Sequence, residues 1–148
     1  FKTPQSENDR EHDLKANEIV TDVFIPPAKG TRAANYEVRQ KAAFDWPLAT
    51  ASVILQMNGN TVQSARIVMG AVAPVPWVSE EAVQAITGKS IDEQTASAAG
   101  TAAVSKARPL SQNGYKVRLA SIAVKRALLL AAGQTIPDVR TLKTGGAA

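Results

Sequence analysis

The chain has 148 residues, of which 45% are apolar and 20% charged, and its formal net charge at pH 7 is +4. These proportions are typical of a single globular domain, and no apolar run approaches the ~20 residues that a membrane helix needs. There is no cysteine and only one histidine, His12, which lies in a polar stretch. The composition therefore argues against cysteine-based metal sites, disulfides and a serine–histidine triad.

The first half of the sequence predicts strands. Residues 1–16 are polar with mixed charge, so we expect a linker or a surface arm. Glu18–Ile25 alternates as a strand does and is stopped by two prolines, and Tyr36–Arg39 is a second, short strand. Leu48–Met57 and Thr61–Val72 are apolar runs that flank an Asn-Gly turn. That arrangement is the strongest hairpin signal in the chain.

The next segment predicts two helices in succession. Ser79 is a good N-cap for the first helix, because two glutamates follow it in the first turn, and Gly88 is a natural end. Ser90 to Glu93 has the pattern of a capping box. It should open an alanine-rich helix that runs to about Ala107.

The strongest helix pattern covers Tyr115–Ala132 and ends at Gly133. We expect Asn113 or Ser111 to cap its first turn. The residues after it are rich in glycine and small side chains near the end, so residues 135–148 should form a flexible tail.

Strands and helices that follow each other in separate blocks predict an α+β fold. We expect an antiparallel sheet of three to four strands, covered on one face by about three helices. The folded domain should span residues 17–134. Because the first residue is Phe1 rather than methionine, we also expect the chain to be part of a longer polypeptide.

Two basic patterns allow a phosphate site to be considered. Thr87–Ser90 resembles the end of a phosphate-binding loop, but Val83 stands where that loop needs a glycine, and the segment joins two predicted helices. Helix capping explains these residues better.

The last helix carries four basic residues that form either a solvated face or a phosphate-binding face: Lys116, Arg118, Lys125 and Arg126. Because they are poorly clustered, we favour the solvated face.

Arg39, Lys41, Asp45 and Trp46 lie together at the entry to the hairpin, and we call residues 39–48 the hairpin-entry corner. One interpretation is a strand end with a solvated ion pair and an aromatic side chain over the core. The other is a surface for a flat, electron-rich ligand. There a basic side chain would stabilise negative charge on a reduced heterocycle, a carboxylate would accept from ring N–H groups, and an indole would stack.

Five segments occur in the order found in one known family: Glu18–Pro26, Tyr36–Ala49, Ala65–Pro74, Pro109–Ser111 and Asn113–Val117. On these segments the chain resembles the C-terminal domain of the FAD-binding (medium) subunit of molybdenum hydroxylases. This is the xanthine dehydrogenase and carbon monoxide dehydrogenase flavoprotein family. The likeness extends along nearly the whole chain.

The resemblance implies a role in electron transfer. In such enzymes a molybdopterin subunit hydroxylates the substrate, electrons cross [2Fe–2S] clusters, and FAD passes them to an acceptor. An N-terminal FAD-binding domain would hold most of the FAD. This chain would close one side of the isoalloxazine site, pack against the molybdopterin and iron–sulfur subunits, and be inactive alone. Neither nucleic acid nor a membrane is an expected partner, and the expected compartment is the cytoplasm, with the periplasm as the alternative.

The resemblance also suggests which residues approach the flavin. Arg39 is the best match to a basic residue near the flavin, Lys41 is the second, and Leu48 matches an aliphatic position near the ring. With Asp45 and Trp46 these are the candidate FAD-contacting residues, and no catalytic or metal-binding residue is expected. The rival hypothesis is a stand-alone module that binds a protein or nucleic acid through its exposed sheet or its basic helix.

Overall fold

The computed structural model describes residues 1–28, 30–41 and 45–136. It confirms the predicted α+β class, because a four-stranded antiparallel sheet in the order β1-β2-β3-β4 is followed by helices. The elements in these residues are β1 (Thr31–Val38), β2 (Ala49–Asn58), β3 (Thr61–Gly70), β4 (Trp77–Val78), α1 (Glu80–Ile86), α2 (Glu93–Ala103) and α3 (Tyr115–Ala131). The two-residue β4 is the strand that sequence patterns did not indicate.

The predicted hairpin is confirmed as β2 and β3. Gly59 makes the turn with φ of 58°, a left-handed conformation that suits glycine. β3 ends at Gly70 rather than at Val72, because Ala71 adopts a φ of 60° and breaks the extended backbone. A side chain at Gly70 would also collide with Thr50, since an added Cβ would lie 2.5 Å from its hydroxyl oxygen.

The helices cover one face of the sheet. α3 packs on β1 and β2, α1 packs on β3, and α2 packs against α1 and α3. Alternate residues of β2 are buried on that face, whereas Ser52 and Ile54 are exposed on the other. The largest fully buried apolar side chains are Leu55, Ile67, Ile86, Leu128, Val53, Val62 and Val124.

Small side chains let α2 and α3 approach closely. The buried residues of α2 are three alanines and Gly100, and α3 contributes four buried alanines. A Cβ at Gly100 would lie 2.5 Å from the backbone oxygen of Ser121 in α3. The helices therefore touch backbone to backbone at this point.

The helix starts differ in part from expectation. Ser79 caps α1 as predicted, and its hydroxyl accepts from the backbone N–H of Ala82 at 3.3 Å. The prediction of a capping box at Ser90–Glu93 is wrong. Asp92 caps α2 instead, because its carboxylate accepts from the backbone N–H of Thr95 at 2.7 Å. α2 then stops at Ala103, four residues before the predicted end.

The third helix begins at the predicted residue and ends one residue earlier, at Ala131, but its cap differs from the prediction. Its N-cap is Gly114, which has no side chain to offer, so a cap by Asn113 or Ser111 is wrong. The Asn113 amide oxygen accepts from the backbone N–H of Leu110 at 2.7 Å instead. Gly133 ends the helix with φ of 83°.

The predicted strand over Glu18–Ile25 is wrong, since this segment is not paired with any strand of the structure. The physical reason is that extended residues become a strand only when a neighbouring backbone pairs with them. β1 begins earlier than predicted, at Thr31.

Most of the predicted tail falls at residues 137–148, outside the described residues. The domain limits of 17–134 stay a prediction. No helix in the described part of the chain is long and apolar enough to cross a membrane.

Replacing Gly100 with alanine should lower the free energy of unfolding by about 1–2 kcal/mol, because the added methyl group pushes α2 away from α3. Helix propensity alone predicts the opposite, a gain of about 1 kcal/mol. Urea unfolding followed by circular dichroism would measure the change, with exposed Ser97→Ala on the same helix as the control. A Gly100→Ala chain as stable as the original would contradict the close contact.

The Asp92 cap should make stability depend on pH. Hydrogen bonding from the Thr95 backbone N–H holds the pKa of Asp92 below its ordinary value of 3.8. A carboxyl with a lowered folded-state pKa contributes stability that is complete above the unfolded-state pKa and is lost as pH falls through the folded-state value. We expect Asp92→Asn to lower the thermal midpoint at pH 7, and this difference should shrink below pH ~4. A difference that is constant from pH 7 to pH 2.5 would refute the charged cap.

Candidate functional site

The hairpin-entry corner is fixed by the pairing of β1 with β2. Val38 pairs with Ala49, and the backbone N–H of Leu48 donates to the carbonyl oxygen of Val38 at 2.8 Å. The connection thus leaves and re-enters the sheet at one point. Residues 42–44 of this connection lie outside the described residues.

The two predicted cations of the corner differ in their environment. Arg39 is exposed, and its guanidinium forms an ion pair with the Glu37 carboxylate on β1, with Nε 2.6 Å from Oε2. Lys41 is also exposed and forms no ion pair with a described carboxylate. The positive charge of Lys41 is therefore the less compensated of the two.

Trp46 projects away from the core. Its side chain is 89% exposed, so the interpretation in which it covers the core is wrong. Asp45 and Leu48, on either side, are half-buried. The corner consequently offers an exposed indole, an uncompensated ammonium group and a partly shielded carboxylate, which are the features expected of a surface for a flat ligand.

A groove lies at the same end of the sheet. It has a volume of about 210 Å³ and lies between the end of α2, the following loop, the start of α3 and the segment after β3. Its apolar part includes Met69 and Trp77, and its lining includes three cationic side chains and no acidic one. The cations are Lys106, Arg108 and Lys116. The sequence showed only basic residues around a proline, which did not indicate a concave surface.

Three of the four basic residues of α3 make contacts within the fold, whereas Arg118 is exposed and forms no ion pair with a described carboxylate. Lys125 forms an ion pair with Glu93 of α2. Arg126 donates to the Tyr36 hydroxyl, and its guanidinium carbon lies 5.2 Å from the centre of the Tyr36 ring. Both basic side chains are half-buried, so the favoured interpretation as a solvated face is wrong for these two residues. Because both residues have partners within the fold, they are also unavailable to bind a phosphate.

The remaining candidates have local structural roles. Gly88 has φ of 77°, and the Lys89 ammonium group donates to the Ala85 carbonyl at 2.9 Å, so Thr87–Ser90 closes α1 rather than surrounding a phosphate. The His12 ring accepts from the Leu14 backbone N–H at 3.2 Å. Within residues 1–28, 30–41 and 45–136, no group of three or more His, Asp or Glu side chains could hold a metal ion.

Comparison with known proteins identifies the fold. The model of the family described as CO dehydrogenase flavoprotein C-terminal domain matches residues 34–131. The carbon monoxide dehydrogenase medium chain of Hydrogenophaga pseudoflava is 32% identical over 120 residues, which is 78% of this chain and 42% of that protein. The aldehyde oxidoreductase FAD-binding subunit PaoB of Escherichia coli is 29% identical over 119 residues, covering 80% and 33% of the respective chains.

Solved structures agree with these relatives. Quinoline 2-oxidoreductase from Pseudomonas putida 86 matches with a TM-score of 0.65 and 29% identity, over 70% of this chain and 37% of that chain. Carbon monoxide dehydrogenase from Hydrogenophaga pseudoflava matches with a TM-score of 0.64 and 31% identity, over 73% and 39%. This chain spans less than half the length of each of these relatives. Because the family model accounts for more than half of the chain, the chain belongs to the CO dehydrogenase flavoprotein C-terminal domain family, whose members are part of the FAD subunit of molybdenum hydroxylases.

Proposed function

We propose that this chain closes one side of an FAD isoalloxazine site that another domain of the same subunit holds. The subunit would pass electrons from molybdenum and iron–sulfur centres in partner subunits through FAD to an acceptor. The observation that carries the proposal is the exposed Trp46 beside two basic residues, at one end of a fold that belongs to a flavoprotein family. The chain's role is to bind and position the flavin, and it has no catalytic chemistry of its own.

The corner residues fit a flavin ring. Trp46 can stack on a planar heterocycle because its indole is free of the core. Lys41 and Arg39 can stabilise the negative charge that a two-electron reduction leaves on the ring system. Lys41 should contribute more, because Glu37 already offsets the charge of Arg39. Asp45 is suited to accept from a ring N–H group, and Leu48 offers an aliphatic contact.

The iron–sulfur centres need ligands from outside this chain. Iron–sulfur clusters are bound by cysteine thiolates, and this chain has no cysteine. When bound, FAD would supply a group that accepts single electrons from iron–sulfur clusters and can pass them on as a pair. The chain's own residues would hold the ring in place and restrict water at its side. Two cations of the groove, Arg108 and Lys116, add positive potential at the same end and favour an anionic cofactor there, whereas the charge of Lys106 is already offset by its ion pair with Glu81 of α1.

The division of labour between domains can be tested by flavin retention. The 148-residue chain alone should lose FAD on gel filtration, because one side of a site buries too little of the ring to bind it tightly. Co-expression with the FAD-holding portion of its subunit should give a yellow protein with one FAD for each chain. A tight, stoichiometric FAD complex of the isolated chain would contradict the proposal.

Changing Lys41 to glutamine in the FAD-loaded subunit should lower the midpoint potential of the flavin. Loss of one partly screened charge near the ring is worth about 1–2 kcal/mol, or roughly 20–45 mV for a two-electron couple. Spectroelectrochemical titration would measure the shift. Arg66→Gln, an exposed position in the middle of β3, serves as the matched charge control and should leave the potential unchanged. Equal shifts for the two variants would show that Lys41 is not beside the flavin.

Replacing Trp46 with leucine should weaken FAD binding about two- to tenfold, because one stacking contact is worth about 0.5–1.5 kcal/mol. Fluorescence titration of the FAD-depleted subunit would give the dissociation constant. Trp46→Phe is the matched control and should retain most of the affinity, since a smaller aromatic ring still stacks. If the Trp46→Leu variant binds FAD as tightly as the Trp46→Phe variant does, the indole does not contact the flavin ring.

A further inference from the structure

The groove beside the start of α3 is lined chiefly by apolar side chains, and some of them remain partly in water. Met69 of β3 and Ala120 of α3 form its buried part. Trp77 and Val72 border it and are 40% and 36% exposed. A concave apolar surface with a few polar groups at its border is the usual form of a small-molecule site. None of the described residues of the hairpin-entry corner lines it, so the candidate flavin contacts do not account for it.

The volume of the groove limits what it can hold. An apolar cavity of about 150 Å³ is large enough to bind benzene. By that measure, a groove of about 210 Å³ accommodates one six-membered ring and a substituent of about three non-hydrogen atoms. A dinucleotide or an extended peptide is much larger than this space. The groove therefore suits a small ring compound.

The charges around the groove favour an anionic substituent on that ring. Three cations line the groove, and no acidic side chain does. The charge of Lys106 is offset by its ion pair with Glu81 of α1. Arg108 forms no ion pair with a described carboxylate, and Lys116 uses one of its three N–H donors on the Ala71 carbonyl. Two cationic groups thus remain for a ligand.

Asn113 supplies an uncharged donor to the same groove. Its Oδ1 accepts from the backbone N–H of Leu110 at 2.7 Å, whereas its Nδ2 has no hydrogen-bond partner among the described residues. An amide NH₂ group only donates, which suits a carboxylate oxygen. The lining contains no hydroxyl, carboxylate or imidazole group of the kinds that usually attack a substrate or transfer its protons. The groove is therefore equipped to bind a ligand rather than to convert it.

We propose that the groove is a binding site for a small aromatic monocarboxylate of about the size of benzoate. The ring would lie against the indole of Trp77, and the carboxylate would accept from Arg108 and Lys116. Aromatic pairs gain energy beyond the area that they bury, and a guanidinium group binds a carboxylate through charge-assisted hydrogen bonds. This site goes beyond the proposed function, because it shares no described residue with the hairpin-entry corner.

Tryptophan fluorescence tests the site directly. The sequence has two tryptophans, so the Trp46→Phe variant of the 148-residue chain retains only Trp77. Titration with benzoate should change the Trp77 emission saturably, with a dissociation constant of about 1 mM or lower. Unchanged emission overturns the proposal, since a ring stacked on the indole must alter its surroundings.

Three related compounds show which part of the ligand is recognised. Benzamide has the ring without the charge, and acetate has the charge without the ring. Both should bind at least tenfold more weakly than benzoate. Cyclohexanecarboxylate has the same number of non-hydrogen atoms without the aromatic system and should also bind more weakly. Binding of any of the three as tight as that of benzoate overturns the proposal.

Variants made in the Trp46→Phe chain locate the site. Arg108→Gln should weaken benzoate binding at least tenfold, because it removes a charge-assisted contact. Ala107 lines the groove and is exposed, so the larger side chain of Ala107→Phe should enter the groove and abolish binding. Arg118→Gln removes an exposed charge of α3 outside the lining and is the matched control. Unchanged thermal midpoints would show that the variants fold. Equal affinity of Arg108→Gln and Arg118→Gln for benzoate overturns the proposal.

Equilibrium dialysis of labelled benzoate separates this site from the flavin site. The FAD-loaded and the FAD-depleted subunit should each bind one benzoate for each chain. Loss of benzoate binding on FAD loading would show that the groove belongs to the flavin site and overturns the proposal. A subunit that binds benzoate but takes up no FAD supports the groove site and refutes the proposed function.

Discussion

The antiparallel register of β1 and β2 is the constraint on which both the core and the corner depend. Pairing of Val38 with Ala49 directs one set of alternate side chains toward the helices and leaves the other set in water. A slip of one residue would exchange the two sets and bury Ser52 in place of Val53. The same pairing brings the residues on either side of the connection together. The burial pattern of β2 and the position of the candidate flavin contacts are therefore two results of one alignment.

Helix α3 connects the sheet to α2 through direct contacts. It lies on β1 and β2, touches α2 through small side chains, and uses Arg126 to hold Tyr36, two residues before the end of β1. The first turn of α3 is held against the segment after β3, because the Lys116 ammonium group donates to the Ala71 carbonyl at 2.7 Å. The end of the sheet that carries the corner is thus supported from both β1 and β3. A rigid support of this kind suits a surface that must keep a ring system in one position.

The sequence predicted the elements whose signals are local. The β2–β3 hairpin, the Ser79 cap and the Gly133 helix end each depend on residues close together in the chain, and each is confirmed. Most of the errors occur where a distant contact decides, although the cap of α3 was missed because Asn113 accepts from the nearby Leu110 N–H instead. Ile91 is buried in the core, and α2 begins after it at an aspartate cap rather than at Ser90. The roles of Lys125 and Arg126 depend on partners in α2 and β1, which no helical pattern reveals. The exposure of Trp46 and the groove likewise follow from tertiary packing.

The unpaired segment before β1 carries five large apolar side chains that are between 64% and 86% exposed: Ile19, Val20, Val23, Phe24 and Ile25. A copy of the chain that leaves them in water displays the kind of surface that chaperones retain and proteases recognise. Such copies would be removed in preference to the rest.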